Sequence, residues 1–507
     1  MDPSTHVRKK RGTPLESKIK RLSLTLGPNP RRVLLRPFIP SLIVKPLPSH
    51  EPNPRVVSLY SRVMHLNEEE VRTKLDEVFF DFHERHERIR EIFEARFEQV
   101  RHFLPTDREL SKERRLLLGS YFTNEYSLES TALFNPGIIP APDQSGVPEG
   151  DLRFIVSLRA TGEGHISSIT FRSGIVTCGG EIRMDPVSRF VHQPRPHPAA
   201  RYELKTFRRK MLEMGVERDA IEVATSELSE SFLMSELVAI VRKVRCNPED
   251  PAVCRAAEKA LLLAQSNYTV RFREGMDISE KILFPYTPSE INGIEDARFV
   301  RFQGEDGQST YMATYTAYDG NVVLPQMLHT RDFHEFAIYT LNGLAIRNKG
   351  FALFPRKIGG HYAMLGRQDG ENITLMFSDH LHFWHESSIL IRPTHPWEFV
   401  QMGNCGSPLE TEAGWLLITH GVGPMRKYCL GAALLDRNDP SRVIGRLKQP
   451  LLRPGDDERE GYVPNVLYSC GALIHAGNLV LPYAISDTSS RFALVPLADL
   501  LSELLQR

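Results

Sequence analysis

Two carboxylates and a guanidinium lie close together in residues 292–299, which read Asn-Gly-Ile-Glu-Asp-Ala-Arg-Phe. Glu295, Asp296 and Arg298 are surrounded there by apolar and aromatic residues. A charge buried without a partner is costly, so these three side chains must either pair with each other or serve a purpose. Asp296 is the residue on which the following interpretation rests.

The spacing of these residues predicts how they share the faces of a strand. Successive side chains of an extended segment point to opposite faces. We therefore expect Asp296 and Arg298 on one face and Glu295 and Ala297 on the other. On this pattern alone, the simplest interpretation is an ion pair between Asp296 and Arg298 that ties the strand to its neighbour.

The run also resembles the signature of glycoside hydrolase family 130, which contains mannoside phosphorylases and β-mannosidases. That signature reads Gly-x-Glu-Asp-Pro-Arg followed by a Tyr-rich strand; here Ala297 replaces the usual proline, and Tyr311–Tyr318 is the Tyr-rich run. Further matches follow in family order through residues 120–500, with one long interruption. They are Phe134–Pro136, Phe354–Ile358, Gly414–Gly421, Gly431–Asp436 and Tyr483–Thr488.

The resemblance implies a mainly β fold, a five-bladed β-propeller with its active site at the central axis. It also implies an inverting enzyme that cleaves β-linked mannosides, with Asp296 as the general acid. In the phosphorylases of the family the matching aspartate is thought to deliver its proton through a sugar hydroxyl, while phosphate attacks the sugar. Inverting enzymes keep their two reacting groups about 6.5 to 9.5 Å apart so that the nucleophile fits between them.

Residue 410 bears on whether water or phosphate attacks. In the phosphorylases a lysine precedes the Gly-Trp-Leu-Leu strand, and Glu410 stands at that position here. A carboxylate repels phosphate and suits a general base that activates water. Hydrolysis with Glu410 as the base is therefore the main prediction, and phosphorolysis to α-mannose 1-phosphate is the alternative. A salt bridge from Glu410 to a neighbour such as Arg426 is the structural interpretation.

Basic residues remain at positions that the resemblance associates with phosphate. Guanidinium and ammonium groups bind a dianion through charge-assisted hydrogen bonds, so a phosphate cradle stays open. For Lys349 and Arg356 a surface or structural role is the stronger interpretation, and His420 could equally be a hydrogen-bonded core histidine. The candidates are Arg347, Lys349, Arg356, Arg367, His420 and Tyr428, with Arg367 the best match.

For the sugar, the resemblance implies that Asn135 and Asp487 bind hydroxyl groups. Arg159, Arg298 and Tyr315 are predicted neighbours, since a pyranose site needs polar groups for hydroxyls and rings for the C–H face. No metal and no organic cofactor is predicted, because acid, nucleophile and electrostatic stabilisation suffice for either reaction. Inorganic phosphate would be a co-substrate of a phosphorylase.

The elements that position these residues change in character along the chain. Short strand-like runs separated by Gly- and Asp-rich turns begin near Ser120 and return after Ile291. Asn67 followed by three glutamates predicts the start of a helix. The predicted parts are a basic, Pro-rich mobile arm at 1–60, a helical extension at 61–119, and a propeller at 120–500 interrupted by a helical insertion at 198–268. Helices are expected within the insertion at 202–214, 217–244 and 252–266, and at 497–506.

Composition gives no sign of a charged macromolecular partner. The 507 residues carry 63 Lys and Arg against 63 Asp and Glu, so neither nucleic acid nor a membrane is predicted as a partner. The six cysteines are scattered without a Cys-x-x-Cys pair, which favours a reducing, cytoplasmic location. An oligosaccharide is the expected partner, and the helical segments could mediate a homo-oligomer. A non-catalytic propeller that binds glycans or proteins is the alternative of another class.

Overall fold

The computed structural model describes residues 15–40, 54–104, 108–197, 201–246, 250–320 and 323–506. These residues are mainly β, and the chain divides into two compact units. The smaller unit comprises 29–130 and 188–192, and the larger comprises 1–28, 131–187 and 193–507. All the candidate site residues belong to the larger unit.

Four helices and a two-stranded sheet form the smaller unit. Asn67 caps the second helix as predicted: its side chain accepts hydrogen bonds from the N–H groups of Glu69 and Glu70, and the Glu70 carboxylate accepts from the Asn67 N–H at 2.7 Å. Such a reciprocal box satisfies backbone donors that a helix start leaves open. The elements are α1 Pro54–His65, α2 Glu68–Phe82, α3 Ile89–Val100, α4 Lys112–Tyr121, β2 Val33–Pro37 and β3 Thr123–Ser127.

The predicted mobile arm is ordered where the structure describes it. Strand β1 (Lys20–Leu26) pairs antiparallel with a strand near the C-terminus, and β2 pairs with β3. Leu22, Leu24 and Leu26 are half-buried while the residues between them are exposed, which is the alternation of an edge strand. The basic composition hid that alternation. Residues 1–14 and 41–53 of the predicted arm lie outside the described residues.

Five antiparallel sheets of four to six strands make up most of the described part of the larger unit. The first sheet has the order β4 (Ala132–Pro140), β5 (Leu152–Thr161), β6 (Ser167–Val176) and β12 (Ile282–Leu283), with β7 (Ile182–Met184) paired on β6. The second has the order β13 (Ile294–Gln303), β14 (Ser309–Tyr318), β15 (Val323–Thr330), β16 (Glu335–Thr340), β11 (Tyr268–Arg271) and β8 (Arg195–His197). The third has the order β17 (Ala352–Leu353), β18 (Tyr362–Gly366), β19 (Ile373–Ser378) and β20 (Ser388–Ile391). The fourth has the order β21 (Gln401–Asn404), β23 (Gly414–Val422), β24 (Tyr428–Leu435) and β25 (Val443–Arg446), with β22 (Leu409–Thr411) paired on β23. The fifth has the order β26 (Leu467–Tyr468), β28 (Asn478–Ile485), β29 (Ser489–Pro496) and β1, with β27 (Leu473–His475) paired on β28. Strands β9 (Arg201–Glu203) and β10 (Ser231–Leu233) pair with each other in a separate two-stranded sheet.

Hydrogen bonds link each of these sheets to the next in chain order, and the last to the first. The first link joins the side chains of Asn135 and Asp296. The other links are backbone bonds from Gln303 N to Pro355 O at 2.7 Å, Met402 N to Glu371 O at 2.9 Å, Tyr428 N to Asn465 O at 3.0 Å, and Cys470 N to Pro136 O at 2.8 Å. Two of these links, Asn135 to Asp296 and Cys470 to Pro136, involve residues in or next to the candidate site.

The helices of the predicted insertion lie between strands β8 and β11 of one sheet, and the predicted middle helix is interrupted. The expected helix at 217–244 is two helices, because Ser231–Leu233 instead forms strand β10 and pairs with β9. An apolar core that includes Phe207, Leu237 and Leu263 holds the insertion together. Its helices are α5 Leu204–Glu213, α6 Arg218–Ala224, α7 Met234–Cys246 and α8 Pro251–Gln265, and α9 Leu497–Leu505 closes the described chain.

None of the helices in the described ranges is long and apolar enough to cross a membrane.

Candidate active site

Asp296 lies in a β-bulge rather than in a regular strand. The register between β13 and β14 shifts between Glu295 and Arg298, and Asp296 has a left-handed φ of 56°. A bulge re-aims side chains: Asp296 and Glu295 both reach the site, while Ala297 is buried in an apolar core. The predicted sharing of one face by Glu295 and Ala297 is therefore wrong, because the bulge breaks the two-residue period.

Asn135 faces Asp296 from a second bulge on the neighbouring sheet. The register of β4 on β5 shifts between Phe134 and Gly137, and Asn135 has a φ of 48°. Its Nδ2 donates to Oδ1 of Asp296 at 2.7 Å. A left-handed conformation is uncommon outside glycine, and such strain collects at functional sites.

Cations surround the two carboxylates. Arg159 Nη2 donates to Glu295 Oε1 at 2.8 Å, and its Nη1 lies 3.7 Å from Asp296 Oδ1. Lys349 Nζ lies 3.5 Å from Glu295 Oε2. Burial alone would raise the pKa of Asp296, but the charges of Arg159, Arg298 and Lys349 and the Asn135 hydrogen bond outweigh it and lower the pKa. Asp296 is thus ionised at neutral pH in this arrangement.

Asp487 is a second carboxylate with the opposite shift. It follows Ser486 in the turn between β28 and β29, and these residues have φ values of 51° and 47°. Burial, followed by the negative charge of Asp296, raises the pKa of Asp487 to about 6. When two carboxyl groups in one site have pKa values shifted in opposite directions, one can act as a proton donor while the other stays ionised.

The raised pKa of Asp487 predicts how the stability of the fold depends on pH. Because the folded-state pKa of Asp487 lies above the ordinary 3.8, its ionisation destabilises the fold as pH rises from about 4 to 6. Asp487→Asn should raise the free energy of unfolding above pH 6 by as much as ~3 kcal/mol, with a gain that shrinks toward pH 4. Denaturant unfolding of both proteins at the two pH extremes measures it; an equal difference at both would contradict the assignment.

A basic cluster lies next to the carboxylates. Arg298 Nη2 donates to Tyr468 Oη at 2.6 Å, and Arg367 Nη1 lies 3.3 Å from His420 Nε2. Within the part of the chain that the structure describes, the buried Nε atoms of Arg298 and Arg367 have no hydrogen-bond partner. Buried donors without partners are rare and call for an explanation. An anion placed between these guanidinium groups would supply the missing acceptors.

His420 is held as a neutral imidazole. Burial first, and then the charges of Arg367 and Arg298, lower its pKa far below the ordinary value. Because a guanidinium only donates, Nε2 of His420 accepts from Arg367, and Nδ1–H faces Cys405 Sγ at 3.7 Å. The His420 ring also lies 4.9 Å from that of Tyr468 and 5.9 Å from that of Tyr428. The arrangement thus gives neutral histidine a fixed orientation beside two permanent cations.

Tyr315 is not part of this cluster, contrary to expectation. Its hydroxyl donates to Glu290 Oε1 at 2.8 Å, and its ring belongs to an apolar core. Arg298 pairs with Thr314 across the ladder, so the side chain after Thr314 points away from Arg298. The Tyr-rich run does form a strand, but the Tyr315 side chain packs in the apolar core.

Glu410 and Arg356 are paired with each other. Arg356 Nη2 donates to Glu410 Oε1 at 2.7 Å and its Nε to Oε2 at 2.9 Å, while Arg437 Nη2 lies 3.2 Å from Oε1. The hydrogen bond from Arg356 is the main cause of a lowered pKa for Glu410. Its partners are therefore Arg356 and Arg437, and not the Arg426 that the sequence suggested.

The structure also separates Glu410 from the basic cluster. In the backbone register of β22 on β23, Glu410 lies opposite Trp415, and His420 lies five residues farther along β23. At about 3.3 Å per residue, that spacing is roughly 16 Å. Arg347 is exposed. Thus Asn135, Arg159, Asp296, Arg298, Lys349, Arg367, His420, Tyr428 and Asp487 come together, whereas Tyr315, Arg356 and Glu410 make contacts elsewhere.

Two residues of the cluster were missed by sequence reasoning. Glu295 was assigned to the opposite face from Asp296, and only the bulge brings both to Arg159. Tyr468 lies in the two-residue strand β26, where no spacing or motif signals its contact with Arg298. The described residues contain no group of three or more His, Cys, Asp and Glu side chains arranged to hold a metal ion.

Comparisons with known proteins agree on one family. The model of glycoside hydrolase family 130, described as beta-1,4-mannooligosaccharide phosphorylase, matches residues 257–505. A 1,2-beta-oligomannan phosphorylase of Thermoanaerobacter sp. (strain X514) is 34% identical over 233 residues, covering 44% of this chain and 75% of that protein. A beta-1,2-mannobiose phosphorylase of Listeria innocua is 31% identical over 277 residues, covering 50% and 75%. Among solved structures, the beta-1,2-mannobiose phosphorylase from Listeria innocua in complex with beta-1,2-mannobiose superposes with a TM-score of 0.44 and 24% identity, covering 74% of this chain and 92% of that one.

Proposed function

We propose that this chain, which belongs to glycoside hydrolase family 130, is a phosphate-dependent β-mannoside phosphorylase that releases α-mannose 1-phosphate. The family supports an enzyme that acts on β-mannosides, and the relatives compared above are named as phosphorylases. The observation that carries the choice of phosphate over water is a pair of guanidinium groups, those of Arg298 and Arg367, whose buried Nε donors have no partner among the described residues.

The charges around these guanidinium groups favour a dianion. Arg159 and Lys349 are engaged by Glu295, whereas Arg298 contacts a phenol and Arg367 a neutral imidazole. Arg298 also lies near the Asp296 carboxylate, which it shares with Arg159 and Lys349. A further negative charge beside Arg298 and Arg367 would be stabilised by both guanidinium groups; phosphate supplies that charge and water does not. Arg298 and Arg367, with His420 beside them, are the proposed phosphate cradle.

In the proposed reaction, the cradle of Arg298, Arg367 and His420 holds phosphate, and Asp296 acts on the leaving sugar. A phosphate oxygen attacks the anomeric carbon of the mannosyl unit from the face opposite the leaving sugar, and a new C–O bond forms as the glycosidic C–O bond breaks. The bonding electron pair stays on the leaving oxygen, which takes the proton that Asp296 supplies. The products are α-mannose 1-phosphate and the shortened sugar, with inversion at the anomeric carbon. Asn135 and Arg159 orient the Asp296 carboxyl.

Phosphate also prepares the acid. The cations hold the pKa of Asp296 below its ordinary value, so at neutral pH the carboxylate needs a further negative neighbour to take up a proton. A bound dianion offsets Arg298 and stands near Asp296, and a negative neighbour raises the pKa of a carboxyl. Protonation of Asp296 is thereby coupled to the arrival of phosphate, which disfavours loss of the mannosyl unit to water.

The hydrolytic prediction loses its support because Glu410 is already engaged. A general base must reach the attacking water, but both carboxylate oxygens of Glu410 accept from Arg356. The ion pair with Arg356 therefore accounts for a glutamate at position 410, and no catalytic role is needed to explain it. The complete set around Asp296 likewise argues against a non-catalytic binding propeller.

This assignment makes a prediction for Glu410. Glu410→Gln should leave turnover within about threefold and lower the free energy of unfolding by at most ~1 kcal/mol, because partly exposed ion pairs contribute little. Initial rates and denaturant unfolding measure the two quantities, with Glu412→Gln on the same hairpin as the matched control. Loss of nearly all turnover in Glu410→Gln with the fold intact would restore Glu410 as the base.

The five sheets are the blades of a five-bladed propeller. Support comes from the position of the site: each sheet contributes from its terminal strand or from the residues just beside it. These residues are Asn135 on β4, Asp296 on β13, Lys349 before β17, Cys405 after β21 and Tyr468 on β26. β1, from the N-terminal part, pairs with β29 of the last sheet, as expected when distant parts of a chain close a propeller. Cytoplasmic residence and assembly through the helices stay predictions.

The dependence of turnover on phosphate tests the proposal. Purified protein is incubated with β-1,2-, β-1,3- and β-1,4-mannobiose over a series of phosphate concentrations. We expect cleavage of at least one substrate, with a rate that saturates in phosphate and vanishes without it. A rate that is independent of phosphate would overturn the phosphorylase assignment, and the absence of cleavage of any mannoside would overturn the substrate class.

A further inference from the structure

Two aromatic side chains meet beside the carboxylate site. The ring of Tyr462 lies 5.7 Å from that of His165, and Tyr462 Oη lies 3.3 Å from His165 Nδ1. Tyr462 nevertheless has 56% of its surface exposed, and His165 is exposed as well. The pair therefore offers open ring faces to solvent at a fixed place. No step of the proposed reaction uses either residue.

Both residues are anchored to elements that carry site residues. The Tyr462 N–H donates to Thr488 Oγ1 at 2.8 Å, and Thr488 directly follows Asp487. A Cβ atom on Gly461 would lie 2.5 Å from that same oxygen, so only glycine lets the Tyr462 segment approach the Asp487 turn so closely. The position of the Tyr462 ring is thus fixed relative to the second carboxylate of the site.

His165 is fixed to the other side of the site. It lies in the short connection between β5 and β6, and its N–H donates to Gly162 O at 3.1 Å. Ser167, two residues on, accepts from Arg159 Nε at 2.9 Å, and Arg159 in turn contacts Asp296 and Glu295. His165 has a φ of 59°, a left-handed conformation that the surroundings must maintain. The aromatic pair thus bridges the Arg159 side and the Asp487 side of the site.

We propose that the Tyr462–His165 pair is the subsite for the leaving sugar, which stacks one pyranose face on the Tyr462 ring while His165 holds the ring in place. The occupant is the hexopyranose released from the mannosyl unit, or the same sugar entering as acceptor in the reverse reaction. This inference rests on the proposed function. Inside the site, cations and carboxylates suit phosphate and hydroxyl groups, whereas an exposed ring suits the apolar C–H face of a sugar.

The identity of the occupant follows from the chemistry of the two regions. Phosphate needs buried positive charge, which the Arg298 and Arg367 region supplies and the aromatic pair does not. The mannosyl unit must reach Asp296, so the sugar beyond the cleaved bond is expected toward the exposed loops that carry Tyr462 and His165. Tyr462 and His165 are therefore specificity-determining residues rather than catalytic ones.

The test separates the two sugars of the reaction. In the synthetic direction, from α-mannose 1-phosphate and mannose, Tyr462→Ala should raise the KM for mannose about tenfold, because the lost apolar contact is of the order of 1.4 kcal/mol. The KM for mannose 1-phosphate should stay within about twofold. Tyr462→Phe keeps the ring and should stay near wild type. Tyr339→Ala removes a tyrosine that packs on His329 and His382, and it serves as the matched control.

A binding measurement distinguishes failure of this inference from failure of the proposed function. Calorimetric titration of Asp296→Asn with β-1,2-mannobiose and with methyl β-mannoside, which lacks the leaving sugar, reports affinity without turnover. Adding Tyr462→Ala should weaken binding of the disaccharide about tenfold and leave binding of the methyl mannoside unchanged. Equal effects on both ligands, or none on either, would overturn the subsite whatever the nucleophile proves to be. A selective loss in an enzyme that ignores phosphate would instead overturn the phosphorylase assignment alone.

Discussion

Asp296→Asn should reduce cleavage of β-1,2-mannobiose by about a thousandfold or more, since general acid catalysis contributes factors of this size. Asparagine tolerates the left-handed conformation of residue 296 better than most residues, and its amide has the shape of the carboxyl. The fold and the contact with Asn135 should therefore survive. Initial rates in saturating phosphate measure the loss, and thermal unfolding confirms that the variant is folded.

The leaving group provides the internal control for this experiment. A mannoside whose leaving group is a stable anion, such as a nitrophenolate, needs little protonation, so Asp296→Asn should affect it far less than the natural disaccharide. A comparable loss with both substrates would mean that Asp296 positions the sugar instead of donating a proton. Normal cleavage of the disaccharide by the variant would remove Asp296 from the reaction.

Arg367→Ala should raise the phosphate concentration that gives half-maximal rate by about a hundredfold, because hydrogen bonds to a charged group are worth roughly 1.5 to 3 kcal/mol. The effect should be specific to phosphate, with little change in the KM for the disaccharide. The pKa of His420 should also rise toward its ordinary value, since the Arg367 charge is one of the causes that lower it. Steady-state kinetics and histidine titration by NMR measure the two effects.

Arg437→Ala is the matched control for this variant. Arg437 is an exposed arginine whose guanidinium contacts Glu410 instead of the basic cluster, so its removal should leave the phosphate dependence unchanged. If Arg367→Ala and Arg437→Ala behaved alike, the cradle would have to be sought elsewhere in the site. If only Arg437→Ala weakened phosphate binding, the phosphate site would lie in the Glu410 region instead.

Regular elements could be predicted from the sequence because they depend on local signals. The Asn67 cap, the helices of the insertion and the C-terminal helix each follow from residues within a few positions of one another. For the site, only the residues that lie in recognisable sequence motifs could be predicted. The two bulges at Asn135 and Asp296 left no pattern in the residues, yet they decide that Glu295 joins the site and Ala297 enters the core.

The partner of Glu410 could not be identified from the sequence. A salt bridge to a neighbour such as Arg426 was one interpretation and a general base the other, but Arg356 lies 54 residues earlier in the chain and engages both oxygens of Glu410. Contacts of this separation depend on how sheets meet, which a single sequence does not specify. Tyr468 escaped notice for the same reason, because its contact with Arg298 spans 170 residues. Arg367 and His420 were among the predicted phosphate-binding residues, but their place beside Arg298 and Tyr468 depends on how the sheets are assembled.

The stoichiometry of products tests the central claim most directly. Wild-type protein is incubated with β-1,2-mannobiose and excess phosphate, and mannose and mannose 1-phosphate are quantified by proton and phosphorus NMR. We predict equal amounts of the two products, with the phosphate ester in the α configuration from the first turnover. Free mannose alone, at two molecules for each disaccharide consumed, would contradict the account, because water would then be the nucleophile despite the Arg298 and Arg367 guanidinium groups.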